Sequence, residues 1–127
     1  GYIEGPGDEV AKYLRAVGYD VEIIQEDDMV TGNFDRFDAI VTGIRAYNTR
    51  EDLAFAKEAL NEYVKHGSTW LVQYTTSRRI QVDQIGRYAF ELSRERVTDQ
   101  TERAEFLAHN HPVITIPNQI SLTDIEV

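Results

Sequence analysis

The sequence contains no cysteine, which excludes disulfides, thiolate metal sites and cysteine nucleophiles from this chain. No apolar run approaches the roughly 20 residues that a helix needs to span a bilayer, and no basic-then-apolar signal peptide opens the chain. Positive charge is scarce, since 22 acidic residues face 13 basic ones and the formal net charge is −9. We therefore expect no nucleic-acid and no membrane partner, because phosphates are bound through surplus Lys and Arg.

What is present is typical of a folded domain. The chain has 127 residues, 42% of them hydrophobic, and a chain of this length buries about two-thirds of the surface that its unfolded form exposes. We expect one domain over residues 1–127. The apolar pair Tyr2-Ile3 follows the first residue directly, so we also expect this domain to be a piece of a longer protein. The cellular compartment is left open.

The first half of the chain alternates strand and helix patterns. Residues 2–4 read as a strand, and an apolar stripe at helical spacing then ends at Gly18. Residues 19–24 alternate apolar and acidic side chains as a strand does, and the apolar run 37–43 suits a central strand. Residues 25–36 between them are predicted to be a loop or short turn. The helical stripe consists of Val10, Tyr13, Leu14 and Val17.

A second helix is predicted after Thr49, which we expect to be its N-cap, and it ends near His66. Residues 68–74 form the next predicted strand, with Trp70 buried in the sheet. Shorter strands are expected near residues 88–92 and 105–107. The buried face of the helix is predicted to consist of Leu53, Ala56, Leu60, Tyr63 and Val64.

Alternation of this kind, with short connections, predicts an α/β fold, a flavodoxin-like three-layer α/β/α sandwich with a mainly parallel sheet. In such sheets ligands bind beyond the carboxyl ends of the strands. The loops "GPGDE" (residues 5–9), "GIRAYNTR" (43–50) and "TTSRR" (75–79) are all expected at that edge. They bring together four arginines of an otherwise acidic chain, namely Arg45, Arg50, Arg78 and Arg79.

Two interpretations of this edge stay open. Arginine forks match carboxylates and phosphates, and glycines such as Gly5, Gly7 and Gly43 let a ligand approach the backbone, so an anionic or sugar-like ligand fits. Alternatively, the arginines pair with nearby acidic side chains such as Asp8 or Asp52, and the glycines only satisfy turn geometry.

Other motifs are weak. "GPGDE" lacks the third glycine of a dinucleotide fingerprint and the Gly-Lys-Ser/Thr of a phosphate loop. His109 and His111 are spaced for a metal, but Pro112 predicts a turn and no further His or Cys lies nearby. No metal, no cofactor and no catalytic constellation is predicted. A hydrolase that acts on a sugar or amide through carboxylates such as Asp8 or Glu4 stays an alternative.

The residues also resemble a known family. "GDEVAKYLRAVGYDVEII", "FDAIVTGIRAYNTREDL", "YVKHGSTWLVQYTT", "SRERVTD" and "HPVITIPNQI" resemble, in this order, the C-terminal domain of long bacterial members of the PIG-L/LmbE deacetylase family. That domain is similar in fold to class I glutamine amidotransferases. The most specific part of the resemblance is "GIRAYNTR" together with "VQYTT" and "RVTD".

The resemblance implies a domain without its own chemistry. The family's deacetylase reaction belongs to a separate N-terminal domain with a zinc-binding His-Pro-Asp-Asp motif, and "HPVI" at His111 shares only two letters with it. The amidotransferase nucleophile is a cysteine at a place that maps onto residues 73–76, which hold none. Members of the family read Gln-Tyr-Asn-Thr there, where this chain has Thr75 in place of the Asn, and they continue past Val127 through a Trp-containing segment.

The resulting hypothesis is a non-catalytic accessory domain of an N-acetyl sugar deacetylase. In this hypothesis its partner is the deacetylase domain of the same parent chain, and the domain either binds a carbohydrate or positions partner domains. A hydrolase or a purely structural interdomain or oligomerisation module are the alternatives. The candidate ligand-binding residues are Arg45, Tyr47, Asn48, Arg50, Gln73, Tyr74, Gly5 and Gly7.

Overall fold

The computed structural model describes residues 1–99, 101–103 and 105–125. The chain divides into two compact units, Gly1–Arg94 and Glu95–Val127, and the single domain over residues 1–127 stays a prediction. No helix among the described residues is long and apolar enough to cross a membrane. The elements of the first unit are β1 (Tyr2–Ile3), α1 (Val10–Ala16), α2 (Glu26–Thr31), β2 (Ala39–Thr42), α3 (Ala46–Thr49), α4 (Leu53–Lys65) and β3 (Thr69–Val72).

The three strands form a parallel sheet in the order β1-β2-β3, which confirms an α/β fold. The predicted strand over residues 19–24 is reduced to a single bridge between Ile23 and Tyr2. The N–H of Tyr2 donates to the Glu22 carbonyl, and the Tyr2 carbonyl accepts from the Ile24 N–H. On the other side of β1, the carbonyls of Gly1 and Ile3 accept from the N–H groups of Val41 in β2 and of Gly43 directly after it. The extended segments therefore lie in the order Ile23, β1, β2, β3, with β1 and β2 in the middle.

α4 supplies most of the buried helical surface, as its apolar spacing predicts. Leu53, Ala56, Leu60 and Tyr63 are buried and Val64 is half-buried. The N-cap position is held by Asp52, so the prediction of Thr49 was wrong. Thr49 ends the short helix α3, and its hydroxyl donates back to the carbonyl of Ala46 at 3.5 Å, which is a helix-interior contact and not a cap.

Residues 25–36 contain the helix α2, so the prediction of a loop or short turn there was wrong. A capping box begins this helix, because the Gln25 and Asp28 side chains each accept from the other residue's backbone N–H. Gly32 ends it in the left-handed conformation, and Met29 is buried. The pattern Gln-x-x-Asp followed by Gly32 was a readable signal of a short helix.

The prediction that Trp70 is buried was also wrong, and the apolar stripe of α1 is largely open to solvent. Tyr13 and Val17 of that stripe are 62% and 73% exposed, and the one fully buried residue of α1 is Ala11. Trp70 is half-buried, because β3 is an edge strand among the described residues and lacks a neighbour on one side. Its indole N–H donates to the Thr42 hydroxyl at 2.9 Å.

The second unit contains α5 (Pro112–Thr115) and a 3-10 turn (Leu122–Asp124) among its described residues. The short strands predicted at residues 88–92 and 105–107 are not formed, because neither segment finds a neighbouring strand to pair with. The predicted turn at His109 is confirmed. His111 is the N-cap residue of α5, and its Nδ1 accepts from the Val113 N–H at 3.2 Å.

Candidate functional site

Three loops follow β1, β2 and β3 at the same edge of the sheet, because the strands are parallel. They comprise residues 4–9, 43–50 and 73–79, and we call them the carboxyl-edge loops. The chain order reverses between β1 and β2, since Ile23 pairs on the far side of β1. A reversal of this kind is where doubly wound sheets bind ligands.

The carboxylate of Asp8 lies between the loops that follow β1 and β2, next to Gly5 and Gly43. Its Oδ1 accepts from the buried Tyr2 hydroxyl at 2.6 Å, and its Oδ2 accepts from the Gly5 N–H at 2.8 Å. Burial and the neighbouring carboxylate together raise the pKa of Tyr2 well above its usual range. Both carboxylate oxygens are therefore engaged inside the protein, while Glu4 beside them is exposed.

The glycines of these loops allow backbone to approach backbone. A Cβ on Gly5 would overlap the carbonyl oxygen of Ile44, and a Cβ on Gly43 would overlap Asp8 Oδ2. Gly7 has a φ of 68° in an exposed turn with open space around it. Gly5 and Gly43 thus close the gap between two loops, and Gly7 meets the geometry of a turn.

Asn48 links the loop after β2 to the loop after β3. Its Nδ2 donates to the carbonyls of Thr76 at 2.9 Å and Arg78 at 2.7 Å. Its Oδ1 accepts from the Thr75 hydroxyl at 2.8 Å and from the Thr76 N–H at 3.0 Å. This side chain is only 8% exposed and its hydrogen-bonding capacity is fully used. Asn48 therefore fixes the relative position of the two loops.

Tyr47 lies in the core beside Asn48 and supports the segment that follows. Its carbonyl accepts from the Gln81 N–H at 2.9 Å, and its hydroxyl accepts from the Gly86 N–H at 3.4 Å. Burial raises the pKa of Tyr47 to about 12. Tyr47 thus holds residues 81–86 against the core through its backbone carbonyl and its hydroxyl.

Arg50 is paired within the protein, as the second interpretation of the sequence expects. Its Nε donates to Asp52 Oδ1 at 3.0 Å, and its NH2 nitrogen donates to Asp52 Oδ2, which makes a two-pronged ion pair. Asp52 is buried, so this pair ties the end of the loop to the start of α4.

Arg45 differs from Arg50 although it belongs to the same loop. Its φ is 58°, a conformation that non-glycine residues rarely adopt, and its N–H donates to the Tyr74 carbonyl at 2.7 Å. Its guanidinium is exposed and makes no ion pair or hydrogen bond with any residue that the structure describes. The same holds for the side chains of Arg78 and of Arg79, whose φ is 55°.

Gln73 and Tyr74 lie at a cavity of about 310 Å³ beside the end of β3. Tyr74 is 64% exposed, and the Gln73 amide lies 3.4 Å from the Tyr2 hydroxyl. The opposite wall comes from residues 85–92. Sequence reasoning predicted a short strand near residues 88–92 but did not connect this segment with the site. The cavity is lined mainly by Val72, Gln73, Tyr74, Ile85, Phe90 and Leu92.

The structure thus brings all eight predicted residues to one edge of the sheet and divides them by role. Contacts within the protein are made by Asn48, Tyr47, Arg50 and Gly5. The guanidinium of Arg45 has no ion-pair or hydrogen-bond partner among the described residues. No group of three or more His, Asp or Glu side chains that could hold a metal ion occurs in residues 1–99, 101–103 and 105–125.

No family model matches the chain, and neither the curated proteins nor the solved structures contain a match to it.

Proposed function

We propose that this chain is a non-catalytic accessory domain whose carboxyl-edge loops bind an anionic or sugar-like ligand. The proposal includes a flavodoxin-like three-layer, amidotransferase-like fold and a parent protein of the PIG-L/LmbE deacetylase type. The strand order supports the fold. The second extended segment, at Ile23, lies on one side of β1, and the later strands β2 and β3 follow on the other side. Flavodoxin-like sheets have this order. The resemblance of the sequence supports the parent.

One observation carries the ligand-binding part: Asn48 locks together two loops that present three arginines without partners in the described structure. Two of them, Arg45 and Arg79, have positive φ values, and such positions are found where the surrounding structure enforces them. In a chain of net charge −9, acidic side chains are plentiful, yet none of those that the structure describes forms an ion pair with these arginines. A ligand with carboxylate, phosphate or hydroxyl oxygens would supply the missing acceptors.

The test is a titration of the 15N-labelled chain with inorganic phosphate, N-acetylglucosamine and N-acetylglucosamine 6-phosphate. We expect saturable amide shifts in residues 43–50 and 75–79 for at least one probe. Arg45→Ala should weaken this binding at least tenfold and change the free energy of unfolding by no more than about 0.5 kcal/mol, as expected of an exposed side chain.

Arg15→Ala is the matched control. It removes the same charge from α1, where the guanidinium donates to the Val21 carbonyl at 2.6 Å, outside the carboxyl-edge loops. Equal loss of binding in both variants would mean that the net charge of the protein, and not Arg45 itself, determines the affinity. The proposal of a ligand site would be abandoned if none of the three probes shifts these loops.

The accessory role has its own tests. We expect no glutaminase or deacetylase activity from the isolated chain. The place of the amidotransferase cysteine maps onto residues 73–76, and the chain has no cysteine. We also expect a His-Pro-Asp-Asp motif in the same reading frame, upstream of Gly1. Metal-independent turnover by pure protein that disappears on changing Asp8 would instead favour the carboxylate hydrolase.

An interdomain or oligomerisation module is the second candidate, and the exposed side of α1 favours it. Tyr13 and Val17 present apolar surface to solvent together with the nearby Tyr19. If this surface docks against a second copy, sedimentation should show a dimer that Val17→Glu abolishes and Leu107→Glu leaves intact. If the protein is a monomer at every concentration, the hypothesis of an oligomerisation module is wrong.

A further inference from the structure

The Tyr2 hydroxyl has one proton and two neighbours that could accept it. Asp8 Oδ1 lies 2.6 Å away, and Oε1 of the Gln73 amide lies 3.4 Å away. A hydrogen bond to an ionised carboxylate is shorter and stronger than one to a neutral amide, so the proton is given to Asp8. The contact between Tyr2 and Gln73 must then be made in the other direction.

This sets the orientation of the Gln73 amide. The phenolic oxygen of Tyr2 still has lone pairs, so it can accept a hydrogen bond, and only the NH₂ group of Gln73 can donate one. A half-turn of the amide exchanges its N and O atoms without changing its shape. With Nε2 toward Tyr2, a relay runs from Gln73 through Tyr2 to Asp8, which also accepts from the Gly5 N–H.

Gln73 Oε1 is then left as a free acceptor at the cavity that Gln73 lines. No hydrogen bond from any described residue reaches the outer atom of this amide. The Thr75 hydroxyl at the same cavity is already donated to Asn48, and Tyr74 is mostly in water. The remaining walls are apolar side chains from β3 and from residues 85–92.

We propose that this cavity is a site for a small ring-shaped group with an apolar face and one O–H or N–H donor, which the Gln73 carbonyl oxygen accepts. Phenols, cyclic alcohols and the less polar face of a sugar ring belong to this class. A cavity of about 310 Å³ accommodates a single ring, and pockets with apolar walls and few fixed polar atoms are typical ligand sites. No arginine lines it, so the inference does not depend on the anion-binding role of Arg45.

Phenol and anisole test the proposal, since anisole carries a methyl group in place of the hydroxyl proton and therefore cannot donate a hydrogen bond. We expect phenol to bind saturably, with amide shifts at Gln73, Ile85 and Leu92, and anisole to bind at least tenfold more weakly. A methoxy oxygen has no proton to offer and would face Gln73 Oε1 with its own lone pairs. Equal affinities, a preference for anisole, or no saturable binding of phenol would overturn the proposal.

Gln73→Met keeps the length of the side chain but removes the acceptor, so the ratio of the two affinities should fall to within about threefold of unity. Gln119→Met, an exposed glutamine of the second unit, is the matched control and should keep the wild-type ratio. An unchanged ratio in Gln73→Met would contradict the role of its carbonyl.

Tyr2→Phe tests the relay itself. Without the hydroxyl the amide is free to turn, so anisole should gain affinity while phenol still binds. A wild-type ratio in folded Tyr2→Phe protein would show that Tyr2 does not orient Gln73. If this variant does not fold, the comparison of phenol with anisole in the wild-type protein still decides the proposal.

Discussion

Residues 1–94 and residues 95–125 use their apolar side chains in opposite ways. In the first unit, side chains from β1, β2, α2 and α4 form one buried cluster that includes Ile3, Met29, Ile40 and Leu60. Among the described residues of the second unit no side chain is fully buried, and Leu107 is 97% exposed. Apolar residues are present in both, so composition alone does not decide which region forms a core.

The difference lies in how each region arranges its apolar residues. α4 is 13 residues long and repeats an apolar face over more than three turns, whereas α5 has four residues and completes about one turn. A single turn cannot present a continuous stripe, and no strand among the described residues of the second unit offers a surface to cover. Periodicity sustained over several turns is what converts apolar content into burial.

The largest expected effect contrasts the two regions directly. Leu60→Ala should lower the free energy of unfolding by about 3 kcal/mol, because a buried leucine loses its packing and leaves a cavity. Leu107→Ala, the same substitution in the second unit, should change it by no more than about 0.5 kcal/mol. Urea unfolding of both variants measures this, and similar losses would erase the contrast.

Next in size is the loss of the link between the loops. Asn48→Ala should lower the free energy of unfolding by about 2 kcal/mol, because the partners of this buried amide, including the half-buried Thr76 N–H, lose their hydrogen bonds to it. Asn118→Ala, at an exposed position of the second unit, is the control and should be nearly neutral. We also expect Asn48→Ala to broaden the amide signals of residues 75–79, and unchanged signals would argue against a linking role.

The effect of tyrosine ionisation at alkaline pH should belong to the first unit alone, since the second contains no tyrosine. Tyr47 has a pKa of about 12 in the folded protein and 10.0 in the unfolded chain. Its contribution to the free energy of unfolding is therefore full below pH 10 and is lost as the pH rises toward 12. In that interval Tyr47→Phe should reduce the loss of stability by about 1–2 kcal/mol. Thermal melts between pH 8 and 12 test this, with the exposed Tyr88→Phe as the control; parallel curves for all three proteins would contradict it.

The smallest effect concerns backbone strain at Arg45. Arg45→Gly should raise the free energy of unfolding by about 0.5–1 kcal/mol, because glycine adopts a φ of 58° without steric cost. Arg103 in the second unit has no positive φ, so Arg103→Gly should give no gain. A destabilised Arg45→Gly would mean that the guanidinium makes contacts that support the fold.

The sequence alone determined the alternation of strands and helices and the buried face of α4, because these depend on the local periods of 2 and 3.6 residues. It also placed the three loops at one edge, since parallel strands must end on the same side. It missed α2, although the capping pair Gln25 and Asp28 marks it, because its buried residue Met29 stands alone without a stripe. It also failed to show that Tyr13 and Val17 are exposed, because periodicity finds a face but does not show whether anything covers it.

Only the tertiary structure decided which polar residues of the carboxyl-edge loops are engaged. The sequence shows two chemically identical residues, Arg45 and Arg50, five positions apart. Whether a carboxylate lies within reach of each depends on the direction of the backbone. Arg50 forms an ion pair with Asp52, whereas Arg45 forms none with the described acidic residues. The contacts of Asn48 and Gln73 join residues about 28 and 71 positions apart along the chain. No local pattern encodes such a distance, because hydrogen-bond partners are chosen by the packing of the strands and loops that carry them.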